Sequence, residues 1–161
     1  MQCAVIEFAM NVAGLKQAAS TEVNPNTPDP VIDLMEEQKS ITMKGGTMRL
    51  GAYKCRIEPG TLVHSIYQKT DISERHRHRY EFNNQYFDLF KEKGMVFSGI
   101  NPESNLVEII ELEDHPWYIG TQFHPELKST VLNPHPLFVN FVAASLEHKK
   151  NKVENRKLIN T

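Results

Sequence analysis

Cysteine is scarce: Cys3 and Cys55 are the only two in 161 residues. Two thiols so far apart exclude a disulfide scaffold and a four-ligand zinc site, and they suit a reducing cytoplasm. An excess of one charge is lacking too. Eighteen Lys and Arg against 20 Asp and Glu leave a formal charge of -2, so nothing global attracts nucleic acid or an anionic membrane, and any polyanion site has to be local. No long hydrophobic run is present either. The opening MQCAVIEFAMNVAGL is apolar, yet it carries Glu7, has no basic n-region and is too short to span a bilayer, which argues against a signal peptide or an anchor. No internal repeat or low-complexity tract interrupts the chain. A length of 161 residues with 40% hydrophobic content suits one domain with a core of its own.

That opening stretch repeats its apolar residues Val5, Ile6, Ala9, Met10, Val12 and Ala13 at steps of three and four, the period of a helix pressed on a core, with Gly14 at its end. No N-cap residue, turn or strand stands before Met1, so this buried helix starts with its amide donors unaccounted for, as an element cut at its beginning does. From Ser20 to about Ser40 the residues STEVNPNTPDP and EEQKSITMKGG predict a surface loop. TMRLGAYKCRI predicts a strand, PGTLVHSIY a short helix opened by a turn, and RHRHRYEF an extended stretch. NNQYFDLFKEKG predicts a helix with Asn before it, Tyr86, Phe87, Leu89 and Phe90 on its buried side, and Gly94 after it. MVFSGI, LVEIIEL and WYIGTQF are further strand candidates, and HPLFVNFVAASLEHKK is a closing amphipathic helix. The sum is an α/β layer structure over residues 1–150, with a polar, frayed tail from Asn151 to Thr161.

Candidate chemistry concentrates in TQFHPE. Pro125 stops the strand from continuing, so His124 and Glu126 emerge at a strand end, the edge where ligands sit in open α/β sheets. A carboxylate beside an imidazole orients the ring and stabilises its charged form while the ring carries a proton. Taken alone the triplet is a weak signal, and a surface turn with a fortuitous His and Glu accounts for it somewhat better. Neither thiol is a convincing nucleophile. Cys3 lies early in a helix, where the dipole lowers a thiol pKa, but its neighbours look like core, and Cys55 is mid-strand. ERHRHRYE puts Arg75, Arg77 and Arg79 on one face of a strand and His76 and His78 on the other. The arginines suit a carboxylate or phosphate, and a solvated basic edge explains them about as well. Metal binding by the two histidines is disfavoured by the adjacent cations. A nucleic-acid patch is disfavoured because Tyr80 and Phe82 look like core. KGGTMRLG lacks the Gly-Lys-Ser/Thr end of a phosphate loop and reads as a turn, and Ser20 to Glu22 reads as a small capping group.

Several of these signals occur together in order. MQCAVIEFAMNV, STEV, GGTMRLGAYKC, ERHRHRYEFNN, LVEIIELEDHPWYIGTQFHPE and HPLFVNFV jointly resemble the C-terminal glutaminase domain of the CTP synthases, which are class I glutamine amidotransferases. The resemblance covers nearly the whole chain, apart from a loop around Pro28 to Lys44 and the tail after Lys150. It implies a partial flavodoxin-like fold, with a mostly parallel sheet, flanking helices and the N-terminal strands absent. It also implies a Cys-His-Glu triad that hydrolyses glutamine and sends ammonia to a synthetase domain aminating UTP to CTP. His124 and Glu126 match the catalytic His and Glu. Gln2, Glu22, Arg79 and Tyr80 match positions that hold glutamine, Glu22 facing its ammonium and the Arg79 to Tyr80 stretch its carboxylate.

The family's nucleophile lies in a Gly-x-Cys-x-Gly-Met-Gln turn. Met1 and Gln2 are the last two residues of that turn, so the nucleophile falls three positions before Met1, and Cys3 lies too far into the helix to replace it. The resemblance therefore implies a chain inactive by itself. It requires no cofactor or metal in this chain, whereas the whole enzyme uses ATP and Mg with GTP as effector. The implied partners are L-glutamine, the synthetase domain and, in the whole enzyme, a homo-oligomer (tetramer), with neither nucleic acid nor membrane. The alternative is a catalytically dead glutaminase-like binding or regulatory module that uses the Arg75 to Arg79 strand. A third reading is a basic-strand binding protein unrelated to amide chemistry.

Overall fold

In a computed structural model the chain is described for residues 1–34 and 48–159, with side chains as far as 153. The order is α1 (Gln2–Asn11), β1 (Ala18–Ser20), β2 (Asp29–Asp33), β3 (Arg49–Ile57), α2 (Leu62–Tyr67), β4 (Asp71–His78), β5 (Glu81–Phe82), α3 (Phe87–Glu92), β6 (Met95–Ile100), β7 (Val107–Leu112), β8 (Ile119–Thr121) and α4 (Pro136–Ile159). Single 3-10 turns at Asn84–Tyr86 and Pro125–Lys128 precede α3 and follow β8. The strands form a five-stranded sheet, β4-β3-β6-β7-β8, and a three-stranded sheet, β1-β2-β5.

The α/β class holds. Among the described residues the expected parallel pairing is confined to β1 and β2, and every other pair is antiparallel. Antiparallel neighbours need no crossover helix, so the short connections 101–106 and 113–118 suffice between β6, β7 and β8.

β7 is the central strand of the packing. Val107 through Glu111 are all buried, because alternate residues serve different cores: Ile110 packs with Phe8 and Ala9 of α1, Ile32 of β2 and Phe90 of α3, while Ile109 packs with Ile57, Val63, Phe123 and Leu137. A Cβ on Gly120 of β8 would come within 2.8 Å of the Ile110 side chain and 3.3 Å of the Met1 Cα. The glycine thus lets the start of α1 lie directly against β8.

Two elements differ from the sequence reading. The expected loop from Ser20 contains β2, with Val31 and Ile32 fully buried. Pro30 fits there because its carbonyl accepts a hydrogen bond from Asn83 Nδ2 at 2.9 Å, which gives the residue a polar partner without an N–H of its own. Residues 35–47, the end of that loop with the Gly45-Gly46 turn, lie outside the described residues. At the other end α4 does not fray at Asn151 but runs to Ile159. The residues from 151 to 159 are Asn, Lys, Val, Glu, Arg, Leu and Ile without Gly or Pro, so nothing in their backbone preference stops the helix.

Candidate active site

β8 ends at Thr121, and the chain then crosses from one sheet edge to the other. The Gln122 N–H donates to the Glu108 carbonyl of β7 at 2.8 Å, and the His124 N–H donates to the Arg75 carbonyl of β4 at 2.8 Å. Between them Phe123 is buried. Pro125 turns the chain into the 3-10 segment, whose far end is fixed by Lys128 Nζ on the Ser73 carbonyl at 2.6 Å and on Glu74 Oε2 at 3.2 Å. This crossing presents His124 and Glu126 to solvent as a pair: Nδ1 of the half-exposed ring donates to Glu126 Oε1 at 2.7 Å. Slight burial pushes the Glu126 carboxyl up, but the hydrogen bond from His124, a backbone hydrogen bond and the nearby ring charge outweigh it and hold the group below its ordinary value. With Nδ1–H committed to the carboxylate, Nε2 is the nitrogen left to exchange a proton.

Gln2, Glu22, Arg79 and Tyr80, together with Arg77 and His78, line one cleft of ≈ 330 Å³. Its lining carries one carboxylate, Glu22, and two guanidinium groups, Arg77 and Arg79, a charge set able to pair with both signs. Ser20 does act as the expected cap, its Oγ accepting from the Glu22 N–H at 3.2 Å, and that same turn brings Glu22 to the cleft. His124 and Glu126 lie outside the lining and are joined to it through β4 and Gln122. Gln2 Nε2 and Gln122 Nε2 each donate to the Tyr80 carbonyl at 2.9 Å.

Beneath the cleft lies a charged cluster that sequence reasoning missed. Arg49 reaches Glu81 at 3.1 Å and Glu108 at 2.8 Å, His78 Nε2 donates to Glu81 at 2.8 Å, and His76 Nδ1 lies 3.6 Å from Glu108 Oε2. Gly51, at φ 95, lies within β3 in this region; that backbone conformation admits glycine at little cost. Burial drives Glu108 up to about 7 against the pull of Arg49. Burial, Arg49 and His78 drive His76 down to about 3. His76 faces inward, on the face opposite Arg75 and Arg77 as expected; those two arginines are exposed, and Arg79 lies past the strand end.

The cysteines divide in an unexpected way. Cys3 is exposed rather than part of the core, because α1 buries the face of Val5, Phe8 and Ala9, while Cys55 is the buried thiol, pushed up by burial and then by Glu108 and Glu74. Among the described residues, no group of His, Cys, Asp and Glu is arranged to hold a metal ion.

Residues 1–144 match the family described as glutamine amidotransferase class-I. The chain belongs to that family. As a class-I glutamine amidotransferase it is 64% identical over 152 residues to the CTP synthase of Cytophaga hutchinsonii, a match covering 94% of this chain and 28% of that protein. It is 64% identical over 154 residues to the CTP synthase of Caldanaerobacter subterraneus subsp. tengcongensis, covering 96% and 29%. The chain therefore spans less than a third of the length of these curated relatives. Among solved structures, a Trypanosoma brucei CTPS glutaminase domain with bound acivicin superposes with TM-score 0.84 at 35% identity, over 91% of this chain and 57% of that one.

Proposed function

We propose that this chain is a portion of the glutaminase domain of a CTP synthase, in which His124 and Glu126 are the proton-transfer pair of a glutamine amidase and the Gln2–Glu22–Arg79–Tyr80 cleft holds the substrate. The observation that carries the proposal is the 2.7 Å hydrogen bond from His124 Nδ1 to Glu126, made where β8 leaves the sheet. In the reaction a cysteine thiol in the preceding turn loses its proton to His124 Nε2 and attacks the side-chain amide carbon of glutamine. The protonated ring then delivers that proton to the departing ammonia. Water, activated by the same ring, cleaves the thioester to glutamate. The contact between Met1 and Gly120 supports this order, because it directs whatever precedes α1 toward the strand that leads to His124.

The nucleophile is not in these 161 residues, so the chain by itself is inactive. The ammonia serves an ATP- and Mg-dependent amination of UTP in a synthetase domain, with GTP as effector and a cytoplasmic homotetramer as the working assembly. The test is ammonia release from glutamine by this chain and by a polypeptide extended upstream through the cysteine turn, each with and without His124→Ala. Only the extended form should be active, and the substitution should lower its rate by about three orders of magnitude or more. Hydrolysis by the shorter chain alone would return Cys3 to consideration and sink the proposal. The exposure of Arg75 and Arg77 favours one other reading, an anion-binding module. That reading requires anion binding that survives His124→Ala and fails with Arg77→Ala.

A further inference from the structure

Three parts of the proposed machinery meet at one atom, the carbonyl oxygen of Tyr80. Gln2 reaches it from α1, the helix that follows the nucleophile turn, and Gln122 reaches it from the tail of β8, two residues before the base; both amide nitrogens lie at 2.9 Å. Tyr80 itself lines the cleft beside Arg79. A carbonyl oxygen has two lone pairs, and here both are taken, which also fixes each amide with its nitrogen toward Tyr80. Gln122 is 5% exposed and its own N–H is bonded to the Glu108 carbonyl, so neither its main chain nor its side chain is free to shift. Gln2 has a cleft-lining side chain, whereas Gln122 does not line the cleft and acts on substrate only through Tyr80.

We propose that Gln122 is a positioning residue that sets the spacing between the His124 base and the glutamine cleft by tying the β8 tail to the Tyr80 carbonyl. This inference rests on the glutaminase reading above. Removing the Gln122 donor leaves Tyr80 bonded to Gln2, so the cleft keeps its shape and its affinity. What is lost is the alignment of bound amide with the base, and misalignment lowers turnover rather than binding.

The test uses the full-length polypeptide that includes the nucleophile turn. Gln122→Met, of similar length but without a donor, should lower kcat for glutamine hydrolysis by about tenfold or more and change KM by less than about threefold. Gln122→Glu adds a readout that packing alone would not produce. Its carboxyl, buried against a carbonyl, donates when protonated and repels when ionised, so its activity relative to the Met variant should rise between about pH 8.5 and about pH 6. If the Met variant folds poorly by its thermal midpoint, the pH response of the Glu variant decides the question. A Met variant within about twofold of wild-type kcat, an effect confined to KM, or a Glu variant with no pH-dependent recovery each overturns the positioning role. Hydrolysis that survives His124→Ala fails the glutaminase reading itself, which is a separate outcome.

Discussion

A histidine ring can hold one proton in place while moving another only if its two nitrogens have different neighbours, and His124 meets that condition through Glu126. The carboxylate is held low chiefly by the ring's hydrogen bond, against a small opposing effect of burial. A carboxyl whose folded value lies below its unfolded value of 4.5 adds stability that is present above that pH and lost as pH falls through the folded value. The expected outcome is a Glu126 side-chain carboxyl that titrates below an ordinary glutamate by carbon-13 NMR and returns upward in His124→Ala. An unchanged midpoint in the variant would show that the ring is not its partner. At this scale the sequence was informative where a residue has chemistry of its own: His124, Glu126 and the basic run were visible as side chains in need of a use. Gln122 was not. Its letter stood in plain view in TQFHPE, but an amide becomes significant only when the acceptor it faces is known, and Tyr80 is 42 residues away. Glu108 was hidden differently, because in LVEIIEL a glutamate reads as the polar face of a strand, and here that face packs on Arg49 and His76.

The elements explain why such a cluster is tolerated. Glu108 on β7, Arg49 on β3, His76 and His78 on β4 and Glu81 on β5 come from four strands, so the cluster joins the five-stranded sheet to β5 and to the cleft above it. Two of its perturbed groups, Glu108 and His76, pull stability in opposite directions with pH. Glu108, raised from 4.5 to about 7, binds its proton more tightly when folded, so its contribution falls as pH rises through that window. His76, lowered from 6.5 to about 3, stays neutral when folded while the unfolded ring protonates, so its contribution falls as pH drops through its own window. Each slope has a ceiling of about 1.4 kcal/mol per pH unit, and where the windows overlap the two cancel. Glu108→Gln keeps an acceptor for Arg49 and removes one of the slopes. Urea midpoints of this variant should rise with pH across the overlap, where wild type is nearly flat, and parallel profiles for the two proteins would refute the coupling. Most elements followed from periodicity, since α1, α2, β3, β6 and β7 carry their own pattern and stops. β2 did not, because DPVID between turn formers is too short to show alternation. The extent of α4 is not legible in the same way, because a polar tail carries no apolar period, although helix propensity and polarity are independent.

At the scale of the molecule the main consequence of the sequence is an apolar surface. Phe138, Val142 and Leu146 stand four residues apart on α4 and are 42%, 56% and 56% exposed, while Val131 and Leu132, in the loop before it, are almost entirely bare at 97% each. HPLFVNFVAASLEHKK reads as an amphipathic helix, and such a stripe ordinarily packs on a core. In the fold His135 and Leu137 are the buried residues of that segment and the stripe faces outward. Apolar groups spaced along one face gain about 1 kcal/mol each when two such faces meet half-buried. Six of them, three per copy, are comparable to the lower range of the cost of association, about 4 kcal/mol or more. The isolated chain should therefore associate weakly and in proportion to concentration, with a weight-average mass above 18.5 kDa in sedimentation equilibrium at high loading. Replacing the three residues together by glutamine, a good helix former, should restore the monomer mass at every loading without loss of helical circular dichroism. Glutamine preserves the helix and removes only the apolar contact, so a wild-type chain that is already monomeric throughout would mean that the stripe is too small or too widely spaced to hold two copies together.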